Sequence, residues 1–301
     1  MSRGQNINKI RRRVLRGIAL NRTPGLHFPG NFLDISFDRV ARDRSLLSFA
    51  PGPWCAGADG QVHLGALAIL ADLALAACMR ARLTRATRLA TVSLHLQFTG
   101  APRTGRRLEA AGEFQAFYAQ GAGTLGMSRV SMKGGAGQIC YGTGSFMALK
   151  PPPGVLLHPV PHRDRKSPDP APLKDLDENE QRILDRADAA LGAGGNFIEN
   201  FWGGPNLVNG LHAGNRVGHA QGGVLVGLAA ASAAAALPAH WGLTSFSAWY
   251  VSPGEGRSLR AKSTLIHQGR LTAVVNTTVT SKDRRRVIEV VTTHSAKGMS
   301  A

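Results

Sequence analysis

One carboxylate stands where carboxylates are rarely tolerated. In LGALAILADLALAACM, residues 64–79, Asp72 is the single charge. Good helix formers fill this stretch, and no proline or glycine follows Gly65, so it reads as a helix. Because the helix is apolar on every side, it reads as buried rather than lying on a surface. A carboxylate in the middle of a buried helix is expensive unless something pairs with it or uses it. The plainer alternative is a gap through which Asp72 reaches solvent. Other reactive side chains are sparse. Cys55, Cys78 and Cys140 make no disulfide framework, and no Cys/His spacing suggests a metal. His63 and His219 flank the starts of two apolar helices and read as structural before catalytic.

The elements that must position Asp72 can be followed along the chain. Residues 1–22 form a basic amphipathic helix with Ile7, Ile10, Val14, Leu15 and Ile18 on one side; its apolar face packs on the protein or, alternatively, on a membrane surface. FLDISF and SLLSFA are short strand-like pieces closed by the Pro-Gly-Pro turn at 51–53. After the helix, TVSLHLQFT (91–99) alternates Val92, Leu94, Leu96 and Phe98 with polar residues, the period of a half-buried strand. RLEAAGEFQAF, GMSRVSM and ICYGTGSFMAL continue an antiparallel meander. Residues 151–172, rich in proline and charge, read as a linker, and 173–191 as an exposed helix with acids weighted toward its start. GGNFIENFWGG is a strand candidate.

The pattern then recurs. QGGVLVGLAAASAAAAL (221–237) is a second apolar helix, and FSAWYVSPGEGRSLRA parallels LHLQFTGAPRTGRRLEA in strand, turn and strand. TAVVNTTVT and RVIEVVTTHS complete a second meander. A period of this length means a duplicated domain, not a solenoid. The expected organisation is a basic extension over 1–29, a first domain over 30–150, a linker and helix over 151–194, and a second domain over 195–301.

A long buried helix wrapped by an antiparallel sheet, present twice, resembles a tandem hotdog protein of the α+β class. The local residues resemble the phenylacetate-degradation type of acyl-CoA thioesterase. His63, Leu64 and Gly65 are followed by Asp72, nine residues after His63, and by Thr91 opening the next strand. Asn215, then Gln221, Gly222 and Gly223, resembles the stretch that opens the same helix. The resemblance implies that each site is shared between two hotdog units: one gives the Asp and a hydroxyl, the other an Asn and the N–H of the first Gly. Here the first repeat has Leu64 for that Gly and Gly57 for the Asn, whereas the second has Ala230 for the Asp. Each half keeps what the other has lost. One composite site is therefore expected, with Asp72 and Thr91 facing Asn215, Gln221 and Gly222.

The resemblance implies hydrolysis of acyl-CoA to free acid and coenzyme A, with no cofactor. Asp72 is implied as general base or as nucleophile, Thr91 as a hydroxyl orienting water, and Gly222 as a backbone donor to the thioester carbonyl. Asn215 is implied to donate to that carbonyl or to hold its loop. Gln221, Gly223 and His63 are expected along the substrate, and Arg103, Arg106 and Arg107 at the coenzyme A phosphates. The rival is a hotdog protein that binds acyl chains without cleaving them.

A net charge of +17, with eight of nineteen acids confined to residues 164–188, favours a polyanionic partner. Coenzyme A suits that charge. Nucleic acid is not expected, because no basic strand motif interleaved with aromatics accompanies it. The cysteine usage and the absence of a long apolar run point to a reducing, cytoplasmic setting. A homodimer of double-hotdog chains stays open.

Overall fold

The structure, a computed structural model, describes residues 3–84, 86–120, 123–135, 137–150, 153–154, 158, 168–202 and 206–296. The first half opens with α1 (Arg3–Asn21) and α2 (Phe28–Leu33), followed by strands β1 (Ser36–Val40) and β2 (Arg44–Phe49). Next come α3 (Leu64–Arg80), β3 (Arg88–Phe98), β4 (Leu108–Gln120), β5 (Gly123–Gly134) and β6 (Gly137–Leu149). After α4 (Glu178–Gly192) the plan repeats: α5 (Phe197–Trp202), β7 (Asn206–Val208), α6 (Gly222–Ala235), β8 (Trp241–Tyr250), β9 (Ser258–Gln268), β10 (Thr272–Ser281) and β11 (Arg286–Ala296).

All eleven strands join one sheet, ordered β1-β2-β4-β5-β6-β3-β8-β11-β10-β9-β7, in which every neighbouring pair is antiparallel. The two halves meet where β3 pairs with β8, around the His95–Ser247 pair. A local two-fold through that pair relates one half to the other.

Each long helix lies against its own half of the sheet. α3 is anchored through its carbonyls: Ser45 donates to the Ala74 carbonyl (2.6 Å) and Ser128 to that of Leu75 (3.0 Å). The strand beneath must come close, so Gly112 of β4 has no substitute; a Cβ there would stand 2.2 Å from the Ala74 carbonyl oxygen. α6 rests on β9, β10 and β11, with Ser263 donating to Ser232 (2.8 Å). The two helices pack on each other across the two-fold. That crossing is close because Gly223 lies on the backbone of Ala68 and Ile69, while Gly227 lies against Gly65 and the His63 ring.

Three sequence expectations are corrected. FLDISF is only partly strand: Phe32 and Leu33 end α2, Asp34 adopts a left-handed conformation (φ 62°), and β1 starts at Ser36. GGNFIENFWGG contains a helix instead of a strand. Phe197, Ile198, Phe201 and Trp202 recur at helical spacing and are buried, and Asn196 Oδ1 accepts the N–H groups of Ile198 (3.0 Å) and Glu199 (3.3 Å) as a cap. The helix expected to be exposed over 173–191 begins at Glu178 behind an Asp177/Glu180 capping box and buries Ile183, Leu184, Ala187 and Ala190. It packs on α1 and α5. The apolar side of α1 is covered in the same way: Ile10, Val14 and Ile18 are buried against α2 and α4, and Ile7 alone of the named stripe is exposed. Most of the 151–172 stretch lies outside the described residues. No described helix is long and apolar enough to cross a membrane.

The helix crossing generates a stability prediction. A Cβ at Gly223 would stand 2.5 Å from the Ile69 nitrogen, which cannot move without moving α3. Gly223→Ala is expected to lower the unfolding free energy by about 1–3 kcal/mol in urea titrations. Gly4→Ala, which meets nothing within 4 Å, is expected to stay within about 0.5 kcal/mol of the parent.

Candidate active site

Asp72 is 8% exposed on the otherwise apolar α3. Both of its oxygens are engaged. Oδ1 accepts from the Thr91 hydroxyl (2.9 Å), and Oδ2 accepts from Nε2 of Gln221 (3.3 Å) in the other half of the chain. No cation pairs with it among the described residues. Burial pushes its pKa up to about 6, and the Thr91 hydrogen bond only partly opposes this.

Thr91 reaches Asp72 because β3 is irregular. Simple alternation would put Thr91 on the face opposite Leu94 and Leu96. The pairing with β6 shifts between Thr91–Phe146 and Ser93–Ser145, making Val92 an extra residue. The bulge turns Thr91 to the same side as buried Phe146, toward α3.

Gln221 caps α6. Its Oε1 accepts the N–H groups of Gly223 (2.6 Å) and Val224 (3.1 Å), which leaves Nε2 to donate to Asp72. The cap does not take the N–H of Gly222, at the positive end of the helix dipole. Nor is there room for a side chain: a Cβ on Gly222 would lie 2.9 Å from the hydroxyl of Tyr250. Just upstream, Asn215 folds its loop, Oδ1 accepting from the N–H of Val217 (2.9 Å) and of His219 (3.1 Å). Its Nδ2 has no partner among the described residues.

Asp72, Thr91, Asn215, Gln221 and Gly222 all line one cavity of about 390 Å³, a size suited to a small-molecule ligand. Its apolar wall includes Phe37, Leu73, Ala76, Phe146 and Leu225. Toward the C-terminal end of α3 the lining changes to arginine: Arg80, Arg88 and Arg216. Arg80 donates to the Thr87 carbonyl (2.7 Å), and Arg216 to the carbonyls of Gly25 (2.7 Å) and His158 (3.1 Å). None of the three has a carboxylate in ion-pair reach among the described residues. Burial, with Arg216 nearby, draws the Arg80 pKa down to about 10. Arg80 lies eight residues beyond Asp72, about 12 Å along the helix.

Other expected site residues lie elsewhere. His63 is outside the cavity lining; its Nδ1 accepts from the Gly65 N–H (3.2 Å) as the cap of α3, and burial holds its pKa near 4, so it is neutral. It occupies the place of Gln221 on the far side of the two-fold. Gly223 faces α3, not the cavity. Arg107 pairs with Asp38 (2.8 Å) and also bonds Ser48, Arg106 stands over the turn at Gly135, and Arg103 pairs in a β-bridge with Gln61. His219, which does line the cavity, meets Glu255 (3.1 Å). Residue types alone did not single out Arg80, Arg88, Arg216 or Tyr250. Arg80 carried one signal, being the only charge that follows Asp72 at helical spacing on the same helix.

No family model matches the sequence, and no curated protein does. Solved structures match the fold. The 12:0-ACP thioesterase from Umbellularia californica aligns with a TM-score of 0.55 and 12% identity over 84% of this chain and 94% of that one. An acyl-ACP thioesterase from Bacteroides thetaiotaomicron aligns with a TM-score of 0.51 and 10% identity, over 83% and 97% of the two chains. At these identities the likeness is one of fold. The chain is an α+β double hotdog, with a long helix and an antiparallel sheet in each half.

The Asp72 environment predicts a pH-dependent stability. Its native pKa lies above the value of 3.8 expected when solvated, so its charge opposes folding. The cost is absent below about pH 4, grows until about pH 6 and is complete above that, at roughly 3 kcal/mol before relaxation. Asp72→Asn is therefore expected to be more stable than the parent by about 1–3 kcal/mol at about pH 8, with the gain vanishing below about pH 4. Urea titrations across pH check this; an Asn variant less stable at the higher pH would mean the carboxylate is paired.

Proposed function

We propose that the protein hydrolyses acyl-CoA thioesters at this one cavity. The reading is carried by Asp72, a buried carboxylate with a raised pKa, held by a hydroxyl from its own half and an amide from the other, beside an uncapped helix N–H. The thioester carbonyl oxygen points at the Gly222 N–H, where the helix dipole favours the charge that develops on oxygen. Asp72 takes a proton from a water molecule as that water bonds to the carbonyl carbon. The tetrahedral intermediate collapses, the C–S bond breaks, and the coenzyme A thiolate leaves with the proton that Asp72 took from the water, which restores the carboxylate. Thr91 and Gln221 keep the carboxylate in place; each of its oxygens has a further lone pair for the water. Its raised pKa suits a base working near neutrality, because the group is ionised at about pH 7 yet more basic than a solvated carboxylate.

The apolar stretch beside α3 suits the acyl chain. Arg80, Arg88 and Arg216, which have no acidic partner among the described residues, suit the phosphates of coenzyme A and replace the loop arginines in that role. The fold neighbours fit a thioester substrate, since those proteins are named as acyl-ACP thioesterases.

Asp72→Asn is expected to lower kcat by about 10²–10⁴ while acyl-CoA binding persists. Gly222→Val is expected to abolish turnover by filling the approach to the N–H. Ala230→Asp is expected to create no second site, because Leu64 and Gly57 cannot supply the donor groups. In the parent, kcat/KM is expected to rise with pH through an apparent pKa of about 6. Steady-state assays over an acyl-CoA series check all four; tight acyl-CoA binding with no cleavage by the parent would instead make the protein an acyl-CoA binder.

A further inference from the structure

We infer that the hydroxyl of Tyr250 is a second hydrogen-bond donor to the thioester carbonyl, working with the Gly222 N–H. This rests on the reading of the cavity as a thioester site. Tyr250 ends β8, and its ring covers Gly222: a Cβ built there would lie 2.9 Å from Oη and 3.0–3.1 Å from two ring carbons. Tyr250 also lines the cavity that holds Asp72.

The hydroxyl is buried and has no hydrogen-bond partner among the described residues. Leaving a buried O–H unmade costs about 1–3 kcal/mol, and native structures seldom retain such a group without a use. Its immediate surroundings offer no explanation. Asp72 is near enough to act on its ionisation, yet its carboxylate oxygens accept from Thr91 and Gln221 and not from Tyr250. An acceptor supplied by a ligand in the cavity would satisfy it. Such a carbonyl oxygen, placed at the Gly222 N–H, stands beside the tyrosine ring that packs on that glycine.

Two further facts fit. Burial and the Asp72 charge push the Tyr250 pKa well above its ordinary value, so the group remains a neutral donor. The two-fold through His95 and Ser247 relates Tyr250 to Phe98. The mirror site, with Ala230 in place of the carboxylate and Leu64 in place of the helix-start glycine, has Phe98 there and so lacks this hydroxyl as well. The hydroxyl donates a hydrogen bond as charge builds on the carbonyl oxygen and keeps its proton throughout.

Tyr250→Phe removes only the oxygen. Its thermal stability is expected to equal or exceed that of the parent, since no protein contact is lost. The deciding readout is discrimination for a carbonyl. 2-Oxononyl-CoA, a ketone with a methylene between sulfur and carbonyl, cannot be hydrolysed at that bond, and nonyl-CoA is the matching thioether without the carbonyl. The parent is expected to bind the ketone more tightly than the thioether, and Tyr250→Phe to lose about 3–10-fold of that preference. For octanoyl-CoA, kcat is expected to fall about 10–10²-fold with little change in KM. Retention of the full ketone preference overturns the inference, whatever happens to the rate, and so does a marked loss of stability. If the parent cleaves no thioester, the hydrolytic reading fails, while the ketone measurement still decides the role of Tyr250.

Discussion

The structure depends on how closely α3 and α6 cross. Gly223 lies on the backbone of Ala68 and Ile69, and Gly65 and Gly227 make the equivalent contact across the two-fold. Dispersion and apolar burial drive the contact, but the missing side chains set its distance. That distance decides whether the two halves meet at Asp72. Gln221 stands two residues before Gly223, and Asp72 three after Ile69, so the glycine contact fixes the reach between amide and carboxylate. Were the helices set farther apart, Nε2 could not reach Oδ2. Asp72 would then be a buried charge with one hydrogen bond.

The same crossing serves two ends, and only one end carries a charge. On the Asp72 side Gln221 caps one helix while holding the carboxylate. On the other side neutral His63 caps α3, and Ala230 takes the carboxylate's place. A second buried carboxylate would add a second desolvation cost above about pH 6. Duplication within one chain removes the need for that symmetry, since each half can specialise. The first half keeps the acid and its hydroxyl partner; the second keeps the helix start, with the Gln221 amide and a Gly222 N–H that the Gln221 cap leaves untaken. The arginines draw on both, with Arg80 and Arg88 from the first half and Arg216 from the second.

Much of this was legible in the residues. A lone Asp in an all-apolar helix announces a group that is used or paired, and the paired strand-turn-strand segments announce the duplication. The complementary losses at Leu64 and Ala230 led to the expectation of one composite site, and Asp72, Thr91, Asn215, Gln221 and Gly222 do line one cavity. What escaped follows from interactions that local patterns do not encode. Thr91 was expected beside Asp72, but the means was not legible: simple alternation along β3 would turn it away, and the bulge at Val92 that brings it round depends on pairing with β6. The segment 197–202 looked like a strand because its aromatics favour strands, whereas their spacing and the Asn196 cap make it a helix. Arg216 and Arg80 are far apart in sequence, and only the helix crossing and the Asn215 loop bring them to one cavity. Tyr250 read as one more residue of a strand, since its significance lies in an unmet hydrogen bond.

The proposed hydrolysis requires the two halves to build one working cavity between them. Calorimetric titration of the intact chain with nonyl-CoA tests it most directly, because an uncleavable ligand reports sites without turnover. One ligand is expected to bind per chain, with affinity falling when either Arg80 or Arg216, one from each half, is changed to alanine. Two equivalent ligands per chain, or affinity that responds to changes in one half only, would contradict it.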